Sequence, residues 1–335
     1  MAAGEESAIT RLKLTIALER LDRHVPFFMG AVSLPEGVEL RALEVGLGDA
    51  VHRDGTDRHG RMFRDREFDI CEQSLSSYII SRSRGGTFTA APVFPRRLFS
   101  QNCMFVNVDA GIAEPKDLIG KKVGVVSFQT TLSVLAKGDL KFDYGVPWEG
   151  IDWFVQFDEE LSWEAGAGVS VQKVPTGKRV GDMLAEGELD AMFHPLPPAS
   201  AVGRSDRVRR LFPDPRGEAT RYFGKHGYCP IMHLMVFPDD LIAREPWLPR
   251  AMIDMWEQAK AKTEAFYDDP SYSLLLFGRN ELESQRATFG ADPWPSGLAA
   301  NRANLERFIG YVADQGLIDA PIPVDSLFHD SVLDT

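Results

Sequence analysis

"FDICEQSLSSYIISRSRGG", residues 68–86, passes without a linker from a short apolar run into three serines and then into a helical pattern. "FDIC" has the composition of a buried strand, and "SLSSYIISRSR" has the spacing of a helix. A strand feeding a helix directly is the repeating unit of open α/β sheets. In such sheets ligands sit outside the carboxyl ends of the strands, where helix N-termini present unpaired N–H groups and positive dipole ends. Ser74, Ser76 and Ser77 stand at such an end, where a carboxylate could accept from a hydroxyl and from backbone N–H groups. The plainer reading makes Ser74 an N-cap and leaves Ser76 and Ser77 solvated in the first turn.

The same alternation extends in both directions. "LKLTIAL" (12–18) and "GVELRALEV" (37–45) read as strands, and "RMFRDREF" (61–68) as a helix leading into "FDIC". "FTAAPVFP" (88–95) and "CMFVNVDAG" (103–111) read as strands again. A second unit opens at "EPKDLIGKKVGVVSFQTT" (114–131), with Pro115 suited to the first turn of a short helix, Gly120 to its C-terminal cap, and "KVGVV" to a buried strand. "VSVQKV", "GKRVGDMLAEGE" and "LDAMF" continue as strand, helix and strand, and the proline-rich "HPLPPAS" breaks the pattern. "IMHLMVF" (231–237) reads as a strand carrying the chain back between two units. "PWLPRAMIDMWEQAKAKTEAFY" and "NRANLERFIGYVADQG" are the clearest helices of the remainder.

With 335 residues, 44% of them hydrophobic, the chain can bury one large core or two medium ones, and two lobes are expected. Lys and Arg total 37 against 49 Asp and Glu, a formal charge of −12, which disfavours nucleic acid as a partner. Any anion must be held locally, by a few arginines and backbone donors. No secretory apolar segment stands near Met1, and no stretch approaches the length of a membrane-spanning helix. Three widely spaced cysteines, Cys71, Cys103 and Cys229, suggest free thiols and a cytoplasmic setting.

The blocks "REFDICEQSLSSY", "PVFPRRLF", "DAGIAEPKDLIGKKVGV", "PIMH", "PWLP" and "LERFIGYVADQGL" resemble, in the same order, those of the 4,5-dihydroxyphthalate decarboxylase family. "SLSSY" with "PVFPRRLF" is the more specific part. "PKDLIGKKVGV" is also similar to the start of the second lobe in many solute-binding proteins. The resemblance implies a two-lobed α/β type II periplasmic-binding-protein-like fold with a ligand cleft, divided here as residues 1–106 plus 235–335 (lobe I) and 107–234 (lobe II). It further implies a decarboxylase, assembled as a homo-oligomer, that releases CO2 from a hydroxylated aromatic dicarboxylic acid, and no cofactor is expected. The rival reading is a binding protein that holds an aromatic acid without changing it. Two stretches depart from the family pattern, "GDAVHRDGTDRHGRMF" and "FHPLPPAS".

Direct loss of CO2 from an aromatic ring would leave an unstable carbanion, so the ring carbon must be protonated first. A hydroxyl para to the departing carboxylate supplies electrons as it gives up its own proton. The site therefore needs an acid aimed at carbon, a base near the phenol, and donors for the second carboxylate. His233 in "PIMH", His194 after "LDAMF" and His24 in "LDRH" are the candidate proton carriers, each with the alternative of a hydrogen-bonded core histidine. Glu72 is a buried acid or an ion-pair partner. Arg96 and Arg97 follow a strand and a proline, and only one of two neighbours in extended chain can face the ligand. Gln129, Thr130 and Thr131 are expected to add donors from the second lobe, and Arg23 stands at a turn that would face the cleft. "HGYCPIMH" and "HRDGTDRH" carry metal-like residues at spacings that fit no zinc signature.

Overall fold

A computed structural model describes residues 11–46, 58–196 and 206–335. Two sheets organise them. The first has the order β2-β1-β3-β11-β4, built from β1 Leu12–Leu18, β2 Val38–Glu44, β3 Ile70–Ser74, β4 Phe88–Arg97 and β11 Ile231–Pro238. β1, β2 and β3 run parallel, while β11 lies antiparallel between β3 and β4. The second sheet has the order β10-β5-β9-β6-β7-β8, from β5 Met104–Asn107, β6 Lys122–Val125, β7 Asp152–Val155, β8 Val171–Lys173, β9 Ala191–Phe193 and β10 Val208–Arg210.

All residues of β3 and β11 are buried, as expected of central strands covered on both faces, and among them are the polar Glu72, Gln73 and His233. Leu14, Ile16, Phe237, Met252 and Trp256 fill one side of the first sheet, with helix α8 (Leu248–Phe266) laid against it. Phe128, Trp148, Trp153 and Phe193 form the aromatic centre of the second lobe.

Three helix starts matter for the site: α2 (Arg58–Asp65), α3 (Leu75–Ser83) and α4 (Thr131–Tyr144). α3 follows β3 with no intervening residue, so Ser74 is at once the last strand residue and the N-cap. α4 is entered through 126–130, whose path is fixed by the buried Lys137 ammonium donating to the Phe128 carbonyl at 2.9 Å. It ends at Gly145, whose φ of 66° is a left-handed cap that glycine adopts without strain.

α4 packs on α10 (Arg302–Asp314), where the Tyr311 ring lies directly over Gly138. A Cβ at 138 would stand 2.1 Å from the Tyr311 ring, too close for either backbone or ring to remain in place. Gly138→Ala should therefore lower stability by about 1–3 kcal/mol. Urea denaturation would register this as an earlier midpoint with unchanged slope.

Candidate active site

Cross-strand partners in an antiparallel pair point to the same face of the sheet. His233 on β11 is in register with Ser74 on β3 and Arg96 on β4, and Met235, two residues on, is opposite Glu72. Glu72, Ser74, Arg96 and His233 are thereby placed on one face. The β11–β4 register shifts on both sides of His233, an irregularity of the kind that re-aims a side chain near a functional site.

At the centre lies Glu72, fully buried. Its Oε1 is 2.6 Å from His233 Nδ1, and its Oε2 is 3.2 Å from the Arg58 guanidinium, which is also buried. Arg58 further donates to the carbonyls of Glu72 and Val45 at 2.9 and 2.8 Å. Burial would push the Glu72 carboxyl up, but Arg58 and His233 outweigh it and hold it well below the usual carboxylate range. Burial pushes His233 down to about 3 against the upward pull of Glu72, leaving the imidazole uncharged near neutrality. Beside it stands His59, from the first turn of α2, with ring centroids 5.2 Å apart in an edge-on arrangement. His59 Nδ1 is 3.3 Å from Glu160 Oε1, and Glu160 follows β7 in the second lobe.

The two lobes also meet at their helix starts. Ser74 Oγ and Thr131 Oγ1 are 2.9 Å apart, and the Ser76 N–H donates to Thr131 Oγ1 at 3.2 Å. The N-termini of α3 and α4 thus face one another, two positive dipole ends meeting at the Ser74–Thr131 contact. The Phe128 and Gln129 N–H groups donate to Glu159 at 2.7 and 2.9 Å, so an acidic side chain holds the donors at the second of these ends. Ser76 Oγ, Gln73 Oε1 and His59 Nε2 are buried without hydrogen-bond partners. Orphan polar atoms of this kind are rare in protein interiors and commonly mark where a ligand or water belongs.

No family model matches the chain. A 4,5-dihydroxyphthalate decarboxylase of Comamonas testosteroni is 31% identical over 336 residues, covering 98% of this chain and 99% of the relative. The chain belongs to the 4,5-dihydroxyphthalate decarboxylase family. A second relative of that name, from Pseudomonas putida, is 31% identical over 233 residues, 68% of this chain and 87% of its own. Among solved structures, the periplasmic aliphatic sulphonate binding protein SsuA from Escherichia coli superposes with a TM-score of 0.55 at 11% identity, covering 96% of this chain and 99% of that one. A sulfonate-binding SsuA from Methylobacillus flagellatus gives 0.56 at 12% identity, covering 95% and 92%. These establish the two-lobed periplasmic-binding-protein fold for this family member.

The residues singled out from sequence fall into three groups. Glu72, Ser74, Arg96 and His233 come together on one face as described. Arg96 donates to Glu19 at 3.0 Å, and Ser77 lies against Glu160. Thr131 bridges the lobes, whereas Thr130 is engaged with Ser127 and Ser133 and the Gln129 amide with the Leu161 carbonyl. Arg23 is bonded to the Pro95 carbonyl and Asp22, and stacks over Trp294. It forms part of the wall of a separate cavity of about 430 Å³ lined also by Trp256, Lys260, Tyr267 and Phe289.

Other candidates point elsewhere. Arg97 turns to the opposite face and is spent on the carbonyls of Cys229 and Pro295 and the side chain of Asn301, at 2.9, 2.9 and 2.7 Å. His24 is a core histidine, bound to the Glu19 carbonyl at 2.7 Å and edge-on to Trp256. His194, half-buried at the end of β9, accepts from the Leu196 N–H and makes no hydrogen bond to this group. "HGYCPIMH" is not gathered into one site, because His226 pairs with Asp143 while His233 pairs with Glu72. Of "HRDGTDRH", His52, Asp54 and Asp57 lie outside the described residues, as does most of "HPLPPAS". Among the described residues no three His, Cys, Asp or Glu side chains are grouped to hold a metal.

Arg58, His59 and Glu160 are the residues that sequence reasoning missed as partners in the site. Arg58 and His59 sat in a polar stretch read as loop, and the only signal was the His59 already noted in that stretch.

Burial holds His24 down to about 4 and His233 to about 3, so both stay uncharged in the folded protein at pH values where the unfolded chain already protonates, below about pH 6.5. The unfolded chain binds more protons throughout that window, so stability is present above about pH 6.5 and is lost progressively toward pH 4. Denaturation at pH 7.5 and about pH 5 should show the loss, and His24→Gln should flatten it.

Proposed function

We propose that this protein removes CO2 from 4,5-dihydroxyphthalate, giving protocatechuate, in the cleft that contains Glu72 and His233. The observation that carries this reading is the buried Arg58–Glu72–His233 chain beside Arg96. A binding protein needs donors for its ligand, but it has no need of an imidazole backed by an ionised carboxylate. Such a pair fixes the tautomer and orientation of a proton carrier.

In this reading one substrate carboxylate is gripped by Arg96 together with the serine hydroxyls and N–H groups at the start of α3. The other carboxylate, on the carbon to be protonated, faces His233. His233 by itself is uncharged near neutrality, and a dianion placed beside it favours the imidazolium, so the substrate brings a proton in with it. That proton passes to the ring carbon, and the bond to the carboxylate then breaks. Electrons for the step come from the para hydroxyl.

Free cysteines support a reducing, cytoplasmic setting, and no described helix is long and apolar enough to cross a membrane. Self-association is supported by four consecutive exposed apolar residues, Leu274, Leu275, Leu276 and Phe277, at 104%, 67%, 95% and 71% exposure, which a second copy of the chain would cover.

Incubating the purified protein with 4,5-dihydroxyphthalate should give equal amounts of CO2 and protocatechuate, and binding without turnover would leave only the receptor reading. His233→Gln should lower kcat about 10²- to 10⁴-fold with the fold intact. Arg96→Ala, which removes a charged hydrogen bond worth about 1.5–3 kcal/mol, should weaken binding roughly tenfold to a hundredfold, whereas the buried Arg97→Ala should act on stability. Calorimetry in two buffers of different ionisation heat should register net proton uptake as the substrate binds at neutral pH.

A further inference from the structure

The reaction asks for two proton movements at opposite ends of the ring, one onto carbon and one off the hydroxyl, and a single imidazole cannot serve both in one step. His59 repeats the construction of His233. Its Nδ1 faces a carboxylate, Glu160, at 3.3 Å, as that of His233 faces Glu72 at 2.6 Å. Its ring is 5% exposed and set at 83° to the His233 ring. Its other nitrogen, Nε2, is buried without a partner. The titratable and charged groups around it are Glu160 from beyond β7, His233 from β11, and Glu72 with Arg58 behind them.

We propose that His59 is the base that takes the proton of the substrate's para hydroxyl, and that Glu160, from the segment after β7, is its positioning residue. The inference rests on the decarboxylase reading above and extends it. His233 stands in register with Arg96 and so serves the end of the ring that carries the carboxylates, which leaves His59 for the hydroxyl end.

The step balances. The hydroxyl O–H bond breaks and its proton goes to His59 Nε2, while the oxygen's electron pair moves into the ring. The ring carbon bearing the carboxylate takes a proton from His233, giving a dienone. The bond to the carboxylate then breaks, its electron pair restores the aromatic ring and the phenolate, and CO2 leaves. His59 returns its proton to the phenolate oxygen, and His233 is reprotonated from solvent.

Burial pushes the Glu160 carboxyl up, but hydrogen bonds from His59 and Ser77 outweigh this and keep it below its ordinary value, as a positioning anion requires.

The test compares His59→Gln and Glu160→Gln with the unmodified protein for kcat and KM on 4,5-dihydroxyphthalate across about pH 6 to 9. A substrate already ionised in solution needs no base. Both variants should therefore lose roughly a hundredfold in kcat near neutrality, with KM changed about threefold or less, and at least a tenfold part of the loss should be regained toward the alkaline limit. A loss equal at every pH, a loss confined to KM, or no loss overturns the proposal. Thermal melts establish that each variant is folded, and Glu160→Gln carries the test should His59→Gln fail to fold. His233→Gln is run alongside and should stay inactive at every pH. Full turnover by that variant would sink the placement of the reaction in this cleft, a different result from a flat His59 profile.

Discussion

A carboxylate with no access to water has to be offset from within the protein, and the position of Glu72 sets the terms for everything around it. Removing its charge from solvent costs several kcal/mol, recovered only through close, well-aligned partners. Arg58 and His233 provide them at 3.2 and 2.6 Å, from α2 and β11 respectively. Three elements, two of them neighbours in sequence and the third supplying His233 from 161 positions away, must therefore assemble around one oxygen pair. Buried ion pairs are poor devices for stability, since apolar residues of the same volume pack at lower cost. What this one supplies is an imidazole held in a single orientation.

Much of the framework was legible because its periodicities are strong. The junction at 68–86 reads directly as β3 and α3, and the return strand at 231–237 is β11 to within a residue. The site was legible only in pieces. Glu72 and His233 each drew notice, yet their pairing spans 161 positions and no local pattern encodes it. Arg58 and His59 went unread as helix because the reading began at Arg61, and α2 holds only two large apolar residues, Met62 and Phe63, both after that point. Strand alternation showed that Arg96 and Arg97 must diverge; which of them faces the cleft depends on the register with β11, which only the folded sheet reveals. Thr130 and Gln129 have chemistry suited to a ligand, and local backbone and hydroxyl groups consume it.

The fold itself is shared with proteins named for binding sulfonates, and a fold does not choose between holding and converting. In this chain the starts of α3 and α4 face one another, and two imidazoles, each with a carboxylate behind it, lie beside them. Glu159 and Glu160, adjacent in sequence, reach two different groups of donors: the N–H groups before α4, and His59 with Ser77. The same short segment thus engages both sides of the cleft.

β11 has one more implication, for biosynthesis. It slots between β3 and β4, so the first sheet stays open, with two unsatisfied inner edges, until more than two thirds of the chain has left the ribosome. Pairings of such long sequence separation form late and slowly, and unpaired edges invite association between nascent chains. The strand that closes this gap also brings His233. A chain that stops before β11 therefore lacks both the strand that joins the two halves of the first sheet and His233.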